Sequence, residues 1–129
     1  MNTGKSEWVE HVKHHLDYWT TGYGGKQVSY TPDGMAWLFN WGSLRHVTTT
    51  AFIAKIASDT ILADDKTLVD KYDTWAKSQM DYAFGDNDLG MSYVLGMGDK
   101  NPVNVHHRTS SGIYDDHWNE LGSSEPSDK

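Results

Sequence analysis

The chain has 129 residues, of which 37% are hydrophobic, 22% charged and 12% aromatic, with no cysteine and a formal net charge of −7. This composition suits one globular domain at most and excludes a disordered chain, and the missing cysteine excludes both a disulfide frame and a thiolate metal site. An acidic balance without a Lys/Arg cluster argues for no nucleic-acid partner, and no apolar run approaches the roughly 20 residues of a membrane span, so no membrane partner is expected.

Met1 to Ser6 lacks the apolar core of a signal peptide and reads as an arbitrary start. Ser6 is a candidate helix cap with Glu7 in the first turn. Trp8, Val12, Leu16 and Trp19 then recur every three or four residues, which predicts an amphipathic helix over about 7–20. Thr20-Thr21-Gly22-Tyr23-Gly24-Gly25 ends it. A short extended piece, Val28-Ser29-Tyr30, leads into the turn Thr31-Pro32-Asp33-Gly34. The second helix is expected over about 41–59, with the stripe Leu44, Val47, Ala51, Ala54 and Ser58. Phe52, Ile53 and Ile56 make its other faces apolar too, so it demands burial on most sides. A third helix over about 65–84 carries Val69, Tyr72, Ala76, Met80 and Ala83, and Gly85 stops it. Three amphipathic helices on short connections predict antiparallel helical hairpins. Residues 85–129 form a loop-rich segment.

In that segment, an apolar strand-like run at Ser92 to Leu95 enters a Gly-rich turn, and a Pro/Asn stretch delivers His106, His107 and Arg108. An imidazole and a guanidinium two residues apart on irregular backbone suit a cleft, because scaffolded loops commonly carry function. Together they can grip vicinal hydroxyls or stabilise charge. A His packed under the loop and a solvated Arg are the competing reading. Trp41 and Arg45, four apart at a helix start, would share a face as an aromatic plate beside a guanidinium, either a ligand contact or a structural cation–π pair. His11, His14 and His15 offer an i, i+4 zinc pair, although a solvated helix face explains them better. Asp115, Asp116 and Glu120 could serve as acid and base, or simply line a surface loop. Asp86, Asn87 and Asp88 offer oxygen ligands for calcium, and capping of a helix end explains them as well.

Four motifs in order carry a resemblance: Tyr30-Thr31-Pro32-Asp33-Gly34-Met35, Trp41-Gly42-Ser43-Leu44-Arg45, Gln79 to Asn87, and Ser92 to Arg108. Over about Trp8 to Ser111 the chain resembles glycoside hydrolase family 9, the endoglucanases and related cellulases. The resemblance implies an all-α fold, with helical hairpins forming part of an (α/α)6 barrel and an irregular C-terminal third. It implies inverting hydrolysis of β-1,4-glucan, a β-glucan or cello-oligosaccharide partner, and secretion. His106 is implied as the catalytic-site residue and Arg108 as its partner on the glucose units around the cleavage point. His107, Trp41 (a stacking platform) and Arg45 are implied as substrate-binding residues. No cofactor is certain, with calcium the one open candidate.

Departures from the family pattern are Leu95, Val105 and His46, the last standing where Tyr is common. The family's Asp-Ala-Gly-Asp motif, which holds the base, does not occur in these 129 residues. Asn119-Glu120 comes too soon after the His signature to be its acid. The expectation is therefore a partial catalytic domain over 1–129, a middle-to-late slice of a barrel. Three readings follow: part of an endoglucanase cleft, a non-catalytic glucan-binding module, or an assembly-dependent fragment whose exposed helix faces a homo-oligomer covers.

Overall fold

The computed structural model describes residues 3–102. In chain order it has helix α1 (Thr3–Trp19), strands β1 (Ser29–Tyr30) and β2 (Ala36–Trp37), and helices α2 (Ser43–Asp59) and α3 (Lys66–Phe84). The two strands pair antiparallel, Ser29 opposite Trp37 and Tyr30 opposite Ala36.

The periodicity fixes which helix faces are buried. Leu16 and Trp19 of α1, Val47, Ala51 and Ala54 of α2, and Tyr72, Trp75 and Ala76 of α3 meet in one core with Val28, Ala36 and Leu62. The predicted α1 stripe is buried only at its C-terminal half, because Trp8 is 71% exposed. Helix α1 also starts earlier than expected, so Ser6 lies inside it and does not cap it. Helix α2 begins at Ser43, two residues later than expected, after Gly42 in a left-handed conformation. Helix α3 is capped at its start by the Asp65 side chain, which accepts from the Leu68 N–H. At its end Gly85 sits at φ 119°, and a Cβ there would lie 3.3 Å from the Ser92 nitrogen. Gly is required here both for the backbone angle and for the closeness of the returning chain.

The excess apolar surface of α2 is present as expected: Phe52, Ile53 and Ile56 are exposed. The strand-like run does not form a strand. Residues 91–100 are turns and bends, closed by the Ser92 N–H donating to Lys100 O at 2.9 Å and anchored by the Tyr93 N–H on Ala83 O at 2.9 Å. His106, His107 and Arg108, with Asp115, Asp116 and Glu120, lie outside the described residues.

Polar clamps join the elements. Gln79, buried in α3, accepts the Ala36 N–H at 2.8 Å and donates to Gly34 O at 3.0 Å, so one amide satisfies both sides of the loop before β2. Within that loop the Gly34 N–H donates to Thr31 O at 3.0 Å. The Thr31 hydroxyl donates to Asp33 at 2.6 Å and accepts the Met35 N–H at 2.9 Å. The hydroxyl of Tyr30 donates to Trp19 O and accepts the Trp75 indole N–H at 2.8 Å, tying α1, β1 and α3 together. Asp17 of α1 accepts from Lys71 and from the Tyr72 hydroxyl of α3.

Two outcomes follow. Gln79→Ala leaves the Ala36 N–H and Gly34 C=O without partners and is expected to cost about 2–4 kcal/mol, read as a lowered urea midpoint. Burial pushes the Asp17 carboxyl up, but the hydrogen bonds from Lys71 and Tyr72 and the Lys71 charge outweigh it, holding Asp17 below its ordinary value of 3.8. The unfolded chain then binds this proton more readily than the folded one. The stability Asp17 contributes is present above about pH 4 and lost as pH falls through the lower folded value. Unfolding measured from pH 6 to 2 should show an acid loss that Asp17→Asn reduces.

Candidate functional site

Where the chain leaves β2 and enters α2, residues 38–42 form an exposed segment beside the helix start. The Ser43 hydroxyl donates back to Phe39 O at 2.6 Å, and the Arg45 N–H to Gly42 O at 3.2 Å, which folds the segment against the first turn. Leu38, Phe39, Asn40, Trp41, Arg45 and His46 line an open hollow of about 570 Å³. A second hollow of about 370 Å³ shares Leu38, Arg45 and His46 with it and reaches α1 at His15 and Trp19.

The two sequence-predicted residues that fall in the described part, Trp41 and Arg45, are thus brought together, but not by the expected route. Trp41 precedes the helix, so the i, i+4 face does not apply to it. The left-handed Gly42 (φ 65°) turns the chain between them. Trp41 is 69% exposed, a broad aromatic face open to solvent. Phe39, Asn40 and His46 also line this hollow, which helix periodicity did not indicate. The available signal was their position within four residues of the Trp-Gly pair.

The other described candidates have contacts of their own. His14 stacks on Tyr23 with ring centroids 4.0 Å apart, and His11 faces Glu7 at 3.9 Å. His15 is exposed at its edge, yet desolvation by the hollow's wall pushes its imidazole below the ordinary histidine range. Asn87 is committed to the chain: it donates to Tyr82 O and Met91 O, and its carbonyl accepts from Leu89 and Met91 N–H. Among the described residues, no group of three or more His, Cys, Asp or Glu is gathered to hold a metal ion, zinc or calcium. Tyr82 is pushed up to about 12, by desolvation and then by its hydrogen bond to Asp33, so it stays a neutral donor joining α3 to the turn. A third hollow, about 530 Å³ between α2 and α3, is floored by Ala51, Phe52, Ala76 and Met80, with Lys55, Asp73 and Lys77 also lining it. Its floor is apolar, and at its edge Lys55 pairs with Asp73 at 3.1 Å.

The model of glycosyl hydrolase family 9 matches residues 1–128. The chain belongs to this family. Its helical hairpins are part of an (α/α)6 barrel, the fold of its solved relatives. It is 41% identical to Endoglucanase B of Cellulomonas fimi over 88% of its own length and 11% of that protein. It is 40% identical to Endoglucanase A of Bacillus pumilus over 87% of its length and 17% of that protein. Among solved structures, endoglucanase CelQ from Clostridium thermocellum, complexed with cellobiose and cellotriose, matches with TM-score 0.78 and 50% identity, covering 85% of this chain and 18% of that one. The cellulase Cel9M of C. cellulolyticum matches with TM-score 0.71 and 31% identity over 98% of this chain and 26% of that one. The chain thus spans a quarter or less of most of the family members it matches.

Gly42→Ala tests the local geometry. An L-residue at this angle is strained, and its Cβ would come within 3.0 Å of Arg45 Nε. A loss of about 1–2 kcal/mol in chemical denaturation is expected, with Gly42→Asn milder because Asn tolerates the left-handed region.

Proposed function

We propose that this chain supplies part of the substrate cleft of an inverting β-1,4-glucanase acting on cellulose or related β-glucans. Residues 1–129 would form one part of the family's catalytic domain. The observation that carries the reading is the open hollow in which exposed Trp41 stands beside Arg45. A flat indole face offers apolar area to a pyranose ring, and a guanidinium offers fixed donors to ring hydroxyls. The bound cellobiose and cellotriose named for the CelQ structure support a glucan ligand.

In the same reading His106 is a catalytic-site residue, and Arg108 and His107 are substrate contacts. They rest on the motif alone. Inverting hydrolysis needs an acid and a base about 6.5–9.5 Å apart, the base activating a water. The family motif for the base is not in this sequence, and Glu120 does not stand where the acid would. The chain therefore grips glucan, and residues outside it perform the proton transfers. Secretion is proposed from the family. The exposed Phe52, Ile53 and Ile56 of α2 favour coverage of this face by further barrel helices or by a second copy. Sedimentation separates a monomer from the self-associated form.

Titration of this chain with cellotetraose, followed by Trp fluorescence and calorimetry, should show saturable binding that Trp41→Ala weakens roughly tenfold, about 1.4 kcal/mol. No reducing sugar should appear. Absence of binding would refute the glucan reading, and turnover by this chain would refute the assignment of proton transfer elsewhere.

A further inference from the structure

Arg45 is held on two sides. Its Nε–H donates to Nε2 of His46 at 3.3 Å. Its side chain folds back over Gly42, where a Cβ would lie 3.0 Å from Nε and 3.4 Å from Cδ and Cζ. The imidazole is held in turn by the Phe39 ring, at 5.4 Å between centroids and 63° between planes. Phe39 orients His46, and His46 with Gly42 orients Arg45.

The bond sets the state of the imidazole. Nε2 accepts this bond through a lone pair, which an imidazole has there only when neutral with its proton on Nδ1. A protonated ring has no acceptor and places a second positive charge beside the guanidinium. The titratable or charged groups lining the two joined hollows are Arg45, His46 and, from α1, His15. Among the described residues, no carboxylate lines either hollow to offset the added charge.

We propose that His46 is the positioning residue for Arg45: its neutral imidazole holds the guanidinium through Nε, leaving the terminal amino groups for hydroxyls of a saccharide lying against Trp41, and protonation releases it. The saccharide half of this inference rests on the function proposed above. The hold of His46 on Arg45 does not. Glucan affinity then falls once His46 gains a proton.

The test reads the contact first without ligand. In 15N NMR spectra of this chain, the Arg45 Nε–H resonance should move with the His46 ring as pH falls from 8 to 5. It should stay fixed in His46→Gln, whose amide can accept at the place of Nε2 and does not titrate. It should resemble the acid form at every pH in His46→Phe. Cellotetraose titrations should show affinity falling severalfold from pH 8 to 5, a smaller fall in His46→Gln, where the other histidines, His106 and His107 among them, still gain protons, and weak binding throughout in His46→Phe. An Arg45 resonance that ignores the His46 titration overturns the proposal, whatever binds. Unweakened binding by Arg45→Ala overturns its saccharide half and the contact role given to Arg45. Weakened binding by Arg45→Ala with wild-type binding by His46→Phe overturns the role of His46 alone.

Discussion

The amide of Gln79 is the joint on which the described structure turns. It is 2% exposed and bonds Gly34 O and the Ala36 N–H on α3's behalf. A buried amide with both ends satisfied fixes position and orientation together, since displacement would orphan two backbone groups at once. The loop it holds leads through β2 into residues 38–42, so the placement of Trp41 beside α2 descends from a contact on a different helix. The same helix, through Tyr72 and Trp75, also reaches α1 by way of Asp17 and Tyr30. The motif segments around Tyr30 and Gln79 thus build the scaffold, and the polar groups of Gln79 and Tyr30 are spent on holding it together.

Much of this was legible in the residues. The periodic apolar stripes gave three helices, Gly85 gave the end of α3, and the excess of apolar faces on α2 gave its exposed Phe52, Ile53 and Ile56. What failed did so for local reasons. Trp8 fits the α1 stripe but stays 71% exposed; Val9 and Val12 are half-buried against the core, and among the helix's described side chains only Leu16 and Trp19 are fully buried. Helix α2 was placed two residues early because a positive-φ glycine cannot be seen in a hydrophobic pattern. The Ser92–Leu95 run has strand composition, but no described strand lies beside it, and its backbone instead bonds within its own loop and to the end of α3.

The candidate site was legible in part. Trp41 and Arg45 were drawn together by spacing, and they do line one hollow, but the agent is the turn at Gly42 and not a shared helix face. Phe39 drew no notice, and His46 stood out only as a departure from the family's Tyr. Their part depends on ring orientation and on which nitrogen carries a proton, neither of which leaves a periodic trace.

The departure at position 46 matters because of what a phenol cannot do. A Tyr hydroxyl stays protonated across the neutral range and can both donate and accept, so a neighbouring guanidinium would see the same partner at pH 5 and pH 8. An imidazole accepts at Nε2 in one protonation state only. In the proposed role, His there, one residue after Arg45 and with no carboxylate among the described residues of either hollow, is a partner whose interaction with the guanidinium changes sign with acidity. The surrounding architecture need not move for this to act, because Gly42 and Phe39 already confine both side chains, and the proton alone alters what the guanidinium meets.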